Sequence, residues 1–339
     1  MAPRAKPRIV VLSGRALFAS FFDGPRQRRL SRFFAWTRST ARAGTPGLRS
    51  VLAGADGLVT TWDSPSFGEE LLAVAPRLRL VAHCGGEVKA RFARPLFSRL
   101  TIANAPGPMA PYVAELALTF LLMSARRLDD YREALRRPSN AIYKDAHLHG
   151  RGQETLRDRT VGLVGFGRIG QALAALLKPL GARIVVHDPH APRALAARYG
   201  VAFASLGRLL PQAEFLVLAA GLTDETRGMI GGKALARLPD GAMVVNVARG
   251  GLLDLSALTR EVQRGRLRCA LDVTDPSEPL PVRHPLRRLR GALVTPHVGA
   301  GALAVRRAMA DIVLDSLERF FRGERVKTRV TLAMLDLMT

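Results

Sequence analysis

Three features of the chain predict an α/β fold built as two doubly wound, parallel-sheet domains. They are a length of 339 residues, a regular alternation of short apolar runs with amphipathic stretches from about residue 160, and a glycine triplet placed directly after one of those runs. At roughly 100–200 residues per domain, the length suits two domains. Repeated strand–helix–strand units imply parallel strands covered on both faces.

Taken in order, the elements start with Arg8-Ile-Val-Val-Leu12, an apolar run of strand type, and a second run over residues 78–82 belongs to the same α/β unit. Pro106, Pro108 and Pro111 then punctuate the chain ahead of a long apolar helix expected over residues 112–127. Residues 139–156 are polar and without period, and read as a linker. Further strands are expected over 160–165, 183–187, 214–219, 242–247, 267–273 and 292–295. The clearest helix starts at Arg168, where Ile169, Ala172, Leu173, Leu176, Leu177 and Leu180 form one apolar stripe and Gly181 supplies a stop. A final helix over 303–321 and a short tail follow.

The composition is 48% hydrophobic and 23% charged, which excludes a disordered or collagen-like chain. Two cysteines, Cys84 and Cys269, cannot build a disulfide framework or a four-ligand zinc site, so a reducing, cytoplasmic setting is expected. The apolar run after the N-terminal Met1–Pro7 is too short for a signal-peptide core, and the run at 114–123 is too short for a membrane span. Membrane insertion is not expected. The net charge is +23, and residues 1–50 carry eleven Lys or Arg against the single acid Asp23. Since 45 of the 51 cations are Arg, the excess reads as a compositional bias of the kind a GC-rich genome produces. No zinc-finger spacing or aromatic-rich RNA-binding strand accompanies it, so nucleic acid is not an expected partner.

The first chemistry-bearing motif is Gly165-Phe-Gly167-Arg168-Ile169-Gly170, between the strand at 160–164 and the striped helix. Glycines there permit a tight turn and let the backbone approach a pyrophosphate at the helix N-terminus. The next strand ends in Asp188, whose carboxylate can accept ribose hydroxyls and repels a 2′-phosphate, so this Rossmann-type unit is expected to take NAD rather than NADP. His190 and Arg193 nearby could soften that preference. Three later strands end in Arg249, in Asp272 with Asp275 and Glu278 following, and in His297. Ligands of an open parallel sheet lie outside the carboxyl ends of its strands, so these residues are candidates for one crevice. Hydride transfer to a 2-oxo acid needs a cation for carboxylate and ketone oxygen and a proton donor for the alcohol formed, roles that Arg249 and His297 can fill. A carboxylate beside the histidine would favour its protonated form. Glu278 is the candidate and Asp275 a competitor.

Together these segments resemble the D-isomer-specific 2-hydroxyacid dehydrogenase family. They include Asn104-Ala-Pro106, Val113-Ala-Glu115, the run from Thr160 to Gly170, Leu222-Thr-Asp-Glu-Thr226, Asn246-Val-Ala-Arg-Gly250, Ala270-Leu-Asp-Val273, Glu278-Pro-Leu-Pro281 and Thr295-Pro-His297. The resemblance implies an NAD(H)-dependent oxidoreductase that interconverts a small 2-oxo acid and its D-2-hydroxy acid. Arg249 would bind substrate, with His297 and Glu278 as acid/base pair. The cofactor would be met by Gly165, Gly167, Arg168, Ile169, Gly170, Asp188, Ala220, Thr226, Val247 and Ala248, with Asp272 on the nicotinamide carboxamide. Gly85, Gly86 and Glu87 would offer the substrate carboxylate a loop of backbone N–H groups. The implied architecture places an NAD-binding domain, 113–302, within a discontinuous substrate domain, 1–112 plus 303–339. Hydride would be transferred in a cleft between the two, with the helices at 112–127 and 303–321 crossing between them, in a homodimer. The family's corepressor branch supplies the alternative, a catalytically silent NAD-sensing protein with the basic N-terminal region as its contact surface.

This chain departs from the pattern in places. Ser277 lengthens the segment between Asp272 and Glu278, Ala219-Ala-Gly221 replaces a His-x-Pro segment, Glu87 stands where a small residue is common, and Met109 where Asn often sits. His147 and His149 lack visible further ligands for a metal. His83 beside Cys84 at a strand end reads as a packed loop.

Overall fold

Two parallel sheets carry the chain, in a computed structural model that describes residues 5–41, 45–136, 141 and 155–335. The linker expected at 139–156 falls largely outside the described residues, as do His147 and His149. Contacts divide the chain into two units, Met1–Met109 with Gly301–Thr339, and Ala110–Ala300.

The first unit holds five strands: β1 (Arg8–Leu12), β2 (Ala35–Ser39), β3 (Gly57–Thr60), β4 (Leu80–His83) and β5 (Thr101–Asn104). They are ordered β2-β1-β3-β4-β5 and all pair in parallel. β1, β3, β4 and β5 are buried nearly throughout, as a sheet covered on both faces requires. The helix Leu303–Phe321 returns to this unit and packs on the helix Arg15–Phe21 and on β4. Part of the N-terminal positive charge is neutralised here. Arg26 pairs with Asp23 and Asp311, and Arg29 meets Glu318 at 2.6 Å.

The second unit holds β6 (Thr160–Val164), β7 (Arg183–His187), β8 (Val201–Phe203), β9 (Phe215–Leu218), β10 (Met243–Asn246), β11 (Arg268–Leu271) and β12 (Ala292–Val294). Their order, β12-β11-β10-β9-β6-β7-β8, reverses at β6, so the first strand of the unit stands beside the switch point of a doubly wound sheet. Leu163, Val164, Leu216, Val217, Val244 and Val245 are at most 1% exposed, and side chains alternate into two apolar layers above and below the sheet.

Strand bounds differ from the sequence expectation by a residue or two, and β2, β3, β5 and β8 are additional. The long helix runs Met109–Ala125, three residues earlier than expected. Pro111 lies in its first turn, where a missing N–H costs nothing. Arg127, at φ 50, then turns the chain.

Candidate active site

The carboxyl ends of the second sheet gather the chemistry. β6 runs into Gly165 at φ +96, a backbone state that favours glycine. A Cβ there would lie 2.5 Å from the Cα of Ala220, so the turn after β9 presses directly on the loop. A Cβ on Gly170 would meet the Gly165 carbonyl oxygen at 2.5 Å, which ties the helix Arg168–Leu177 closely to the strand. Gly167 is different: a Cβ there would meet nothing within 4 Å. The helix behind it has no capping side chain and no acid in its first turn, with Arg168 exposed and Ile169 half-buried. Open space before uncapped N–H groups at a partly positive helix end is what a diphosphate needs, and the residues present fit the dinucleotide.

Asp188, just past β7, fixes this loop. Its Oδ2 accepts the Phe166 N–H at 2.7 Å, while Oδ1 accepts the N–H groups of His190 and Ala191. A carboxylate has about four acceptor sites, so capacity remains for a ribose hydroxyl. Arg193 stacks its guanidinium on the Phe203 ring at 4.4 Å. Across the switch point, the Thr226 hydroxyl accepts from Thr223 N–H and donates to the Gly221 carbonyl, which closes the loop that follows Ala220.

After β10, the fully buried Asn246 folds the turn that presents Arg249. Its Oδ1 accepts the Ala248 N–H at 3.1 Å and its Nδ2 donates to the Arg249 carbonyl at 2.9 Å. Val247 and Ala248 are buried beneath, and Arg249 Nη1 donates to the Ala248 carbonyl. Gly250 packs against the backbone of Thr274 and Asp275, close enough that no Cβ fits. The end of β10 therefore abuts the segment after β11, the one that carries Glu278.

Glu278 accepts the Thr274 N–H through Oε2 and pairs through Oε1 with Nδ1 of His297. Asp275 is exposed, and Glu278 takes the histidine. His297 sits at φ +54, rare for a residue with a side chain. What holds it there is Asp272, whose organising role the sequence reading missed. The Asp272 carbonyl accepts the His297 N–H at 2.9 Å, Oδ1 accepts the Thr295 hydroxyl and the Val298 N–H, and Oδ2 accepts the Gly299 N–H. Asp272 is 2% exposed. Nδ1 of His297 is engaged by Glu278, and the ring is about half-exposed. Arg249, Glu278 and His297 thus lie in the connections that follow three adjacent strands, β10, β11 and β12.

In the first unit, Gly85 follows β4 and donates its N–H to the His83 carbonyl, while Gly86 receives Asn104 Nδ2 on its carbonyl at 2.7 Å. The N–H groups of Gly86 and Glu87 have no acceptor among the described residues. Glu87 turns its carboxylate onto the Ala90 N–H at 2.7 Å, and Met109 lies beside Gly86. Cys84 and Cys269 are buried, and burial pushes the Cys269 thiol up to about 12. Among the described residues no group of three or more His, Cys, Asp or Glu is placed to hold a metal, and no helix is long and apolar enough to cross a membrane.

Comparison with known proteins places the chain in a family. Residues 118–299 match the model of the D-isomer specific 2-hydroxyacid dehydrogenase, NAD binding domain. The chain belongs to that family. Its cofactor is NAD(H). It is 36% identical over 269 residues to the D-3-phosphoglycerate dehydrogenase of Mycobacterium leprae, a match over 77% of this chain and 48% of that protein. The chain thus spans about half the length of the curated phosphoglycerate dehydrogenases it matches. Human glyoxylate reductase/hydroxypyruvate reductase is 32% identical, over 69% of this chain and 70% of that one. Among solved structures, a protein from Thermus thermophilus superposes with a TM-score of 0.79 at 30% identity, covering 96% of this chain and 100% of that one. An NADPH-dependent glyoxylate/hydroxypyruvate reductase from Sinorhizobium meliloti does so at 0.76 and 25%, covering 96% and 98%.

Proposed function

We propose that the chain is an NAD-dependent D-2-hydroxyacid dehydrogenase that reduces a small 2-oxo acid and catalyses the reverse oxidation. The observation that carries this reading is the His297–Glu278 pair, with Nε2 left open at the carboxyl edge of the sheet whose glycine loop fits the dinucleotide. Bound NADH supplies the hydride. Arg249 draws electron density from the ketone oxygen and anchors the substrate carboxylate, while protonated His297 delivers its Nε2 proton to that oxygen. Glu278 holds the imidazole through Nδ1–H and offsets the positive charge of the protonated ring. Asp272, Ala220, Thr226, Val247 and Ala248 are proposed cofactor contacts. Gly86 and Glu87 are proposed to bind the substrate carboxylate through their unclaimed N–H groups, with Gly85 shaping the turn.

The test is oxidation of NADH and of NADPH, followed by the absorbance of the reduced nicotinamide, against glyoxylate, pyruvate, hydroxypyruvate and bulkier 2-oxo acids. Turnover with NADH that falls by about a thousandfold or more in Arg249→Ala and His297→Ala, with NADH binding retained, is expected. Wild-type turnover in either variant would overturn the assignment. NADH binding without turnover on any acid would instead favour an NAD-sensing binding protein that uses its basic N-terminal region. We further propose a homodimer in the cytoplasm, the assembly to be checked by sedimentation equilibrium.

A further inference from the structure

The loop that delivers Glu278 to His297 has few ties of its own. After β11 the chain buries Asp272, Val273 and Thr274, and it returns to the core only at Leu280. The residues between, Asp275, Pro276, Ser277, Glu278 and Pro279, are all exposed. Among the described residues, their only hydrogen bonds are two from Thr274 and the contact of Glu278 with His297. An exposed loop with so little holding it samples many conformations, so the two bonds from Thr274 decide where Glu278 stands.

Thr274 is itself fixed. Its Oγ1 donates to the Ser277 carbonyl at 2.6 Å, and its N–H donates to Glu278 Oε2 at 3.3 Å. The first bond folds residues 274–277 into a turn, and the carbonyl it holds belongs to Ser277, the residue that lengthens the segment between Asp272 and Glu278. The second leaves Oε1 to meet His297 Nδ1. Behind Thr274 the backbone has no room to shift. A Cβ on Gly250 would stand 2.5 Å from the Asp275 nitrogen and from the Thr274 carbonyl oxygen, so the turn after Arg249 presses on this peptide. Two residues earlier, the Asp272 N–H donates to the Asn246 carbonyl at 3.0 Å. Thr274 is the last anchored point before the loop.

We propose that Thr274 is a positioning residue of the acid/base pair, its hydroxyl holding the loop so that Glu278 meets Nδ1 of His297 and keeps the proton of the neutral ring there. This role rests on the reading of His297 as the acid/base group. An ionised carboxylate only accepts, so a neutral ring paired with it carries its proton on Nδ1 and leaves Nε2 bare. The tautomer matters most in one direction. When the 2-hydroxy acid is oxidised, its hydroxyl proton passes to Nε2 as the hydride leaves carbon 2 for NAD+, and a ring already protonated on Nε2 cannot take it. Without the Thr274 hydroxyl the turn opens, Glu278 loses its fixed place, and the ring adopts either tautomer.

The experiment is a double-mutant cycle between Thr274→Val, which keeps the branched shape and removes the hydroxyl, and Glu278→Ala. Activity is read as NAD+ reduction by D-glycerate, D-lactate and glycolate. Thr274→Val alone is expected to lower kcat by about tenfold or more with KM within about twofold, since the hydroxyl is engaged by Ser277. In the Glu278→Ala background the same substitution should change kcat by less than about twofold, and Thr274→Ser should stay within about threefold of wild type. Urea midpoints should stay near wild type, because Ser277 is exposed and water can replace the lost donor. An equal fall in both backgrounds, a Val variant as active as wild type, or a Ser variant as impaired as Val overturns the proposal.

A second readout needs no turnover. The nitrogen chemical shifts of the His297 ring, read through its carbon-bound protons at alkaline pH and assigned by their loss in His297→Ala, report which nitrogen carries the proton. Wild type and Thr274→Ser should show it on Nδ1, and Thr274→Val should show it shared between the two nitrogens, as Glu278→Ala does. A wild-type pattern in Thr274→Val, or no preference for Nδ1 in wild type, overturns the proposal. The two measurements separate the two readings: a wild type inactive on every acid counts against the dehydrogenase assignment, while the ring nitrogens still decide the role of Thr274.

Discussion

The main-chain N–H of His297 donates to the carbonyl oxygen of Asp272 at 2.9 Å, while the carboxylate of the same aspartate takes the N–H groups of the two residues that follow. One buried side chain thereby sets the left-handed turn that aims the imidazole of His297, the proposed acid/base group. Asp272→Ala strands the Thr295 hydroxyl and two N–H groups. It is expected to cost about 2–4 kcal/mol of stability in urea unfolding and to lower kcat by about a hundredfold. Asp272→Asn keeps one acceptor and should fall between Ala and wild type. An alanine variant with wild-type stability and kcat would contradict this role.

The glycine loop separates folding from binding at neighbouring positions. Gly165→Ala sets a Cβ into the Ala219–Ala220 backbone at positive φ and should destabilise the fold by about 2 kcal/mol or more. Gly167→Ala meets only open space, so stability should stay within about 0.5 kcal/mol. Its methyl group stands where the diphosphate approaches, and NADH affinity should drop by about tenfold or more, as read by fluorescence titration. Equal effects of the two substitutions on unfolding would refute the distinction.

Asp188 should decide the choice of cofactor. Asp188→Ala removes the repulsion toward a 2′-phosphate and leaves Arg193 and His190 in place, so the NADH/NADPH ratio of kcat/KM should narrow by about tenfold or more. The substitution also frees the Phe166 N–H, and a loss of NADH affinity should accompany the change. An unchanged ratio would show that another group sets the preference.

His83 makes stability depend on pH. In the folded chain burial keeps its ring neutral down to about 3, whereas the unfolded ring takes up a proton near 6.5. The unfolded state therefore binds more protons between these values. Stability contributed by His83 is intact above about 6.5 and declines as pH falls toward 3, with a limiting slope of about 1.4 kcal/mol per pH unit. Urea midpoints between neutral pH and pH 5 should fall less steeply for His83→Asn than for wild type. Parallel profiles would rule out His83 as the source.

Legibility in the sequence followed burial. β6 and β7 combine apolar runs with flanking glycines and stand out, and so does the stripe of the helix Arg168–Leu177. β2, Ala-Trp-Thr-Arg-Ser, is an edge strand with no buried residue and carries no apolar alternation to detect. β8 is three residues long. At the candidate site, the sequence points to Arg249, Glu278 and His297 because each is a reactive residue type in the connection after a strand, and the structure pairs His297 with Glu278. The clamp at Asp272 was not legible, because apart from the Thr295 hydroxyl its partners are backbone N–H groups some 26 residues further along, which no side-chain pattern reveals.

The tail that returns to the first unit has a consequence for synthesis. Asn104 N–H donates to the Thr328 carbonyl and Val330 N–H to the Ile102 carbonyl, so the open flank of β5 is closed by residues made more than 220 positions later. A ribosome therefore releases the second unit, contiguous in sequence, while the first still presents a bare strand flank and an uncovered apolar layer. Nascent chains stalled before residue 301 should be the aggregation-prone species, and chaperone demand should end once the residues through Val330 have emerged.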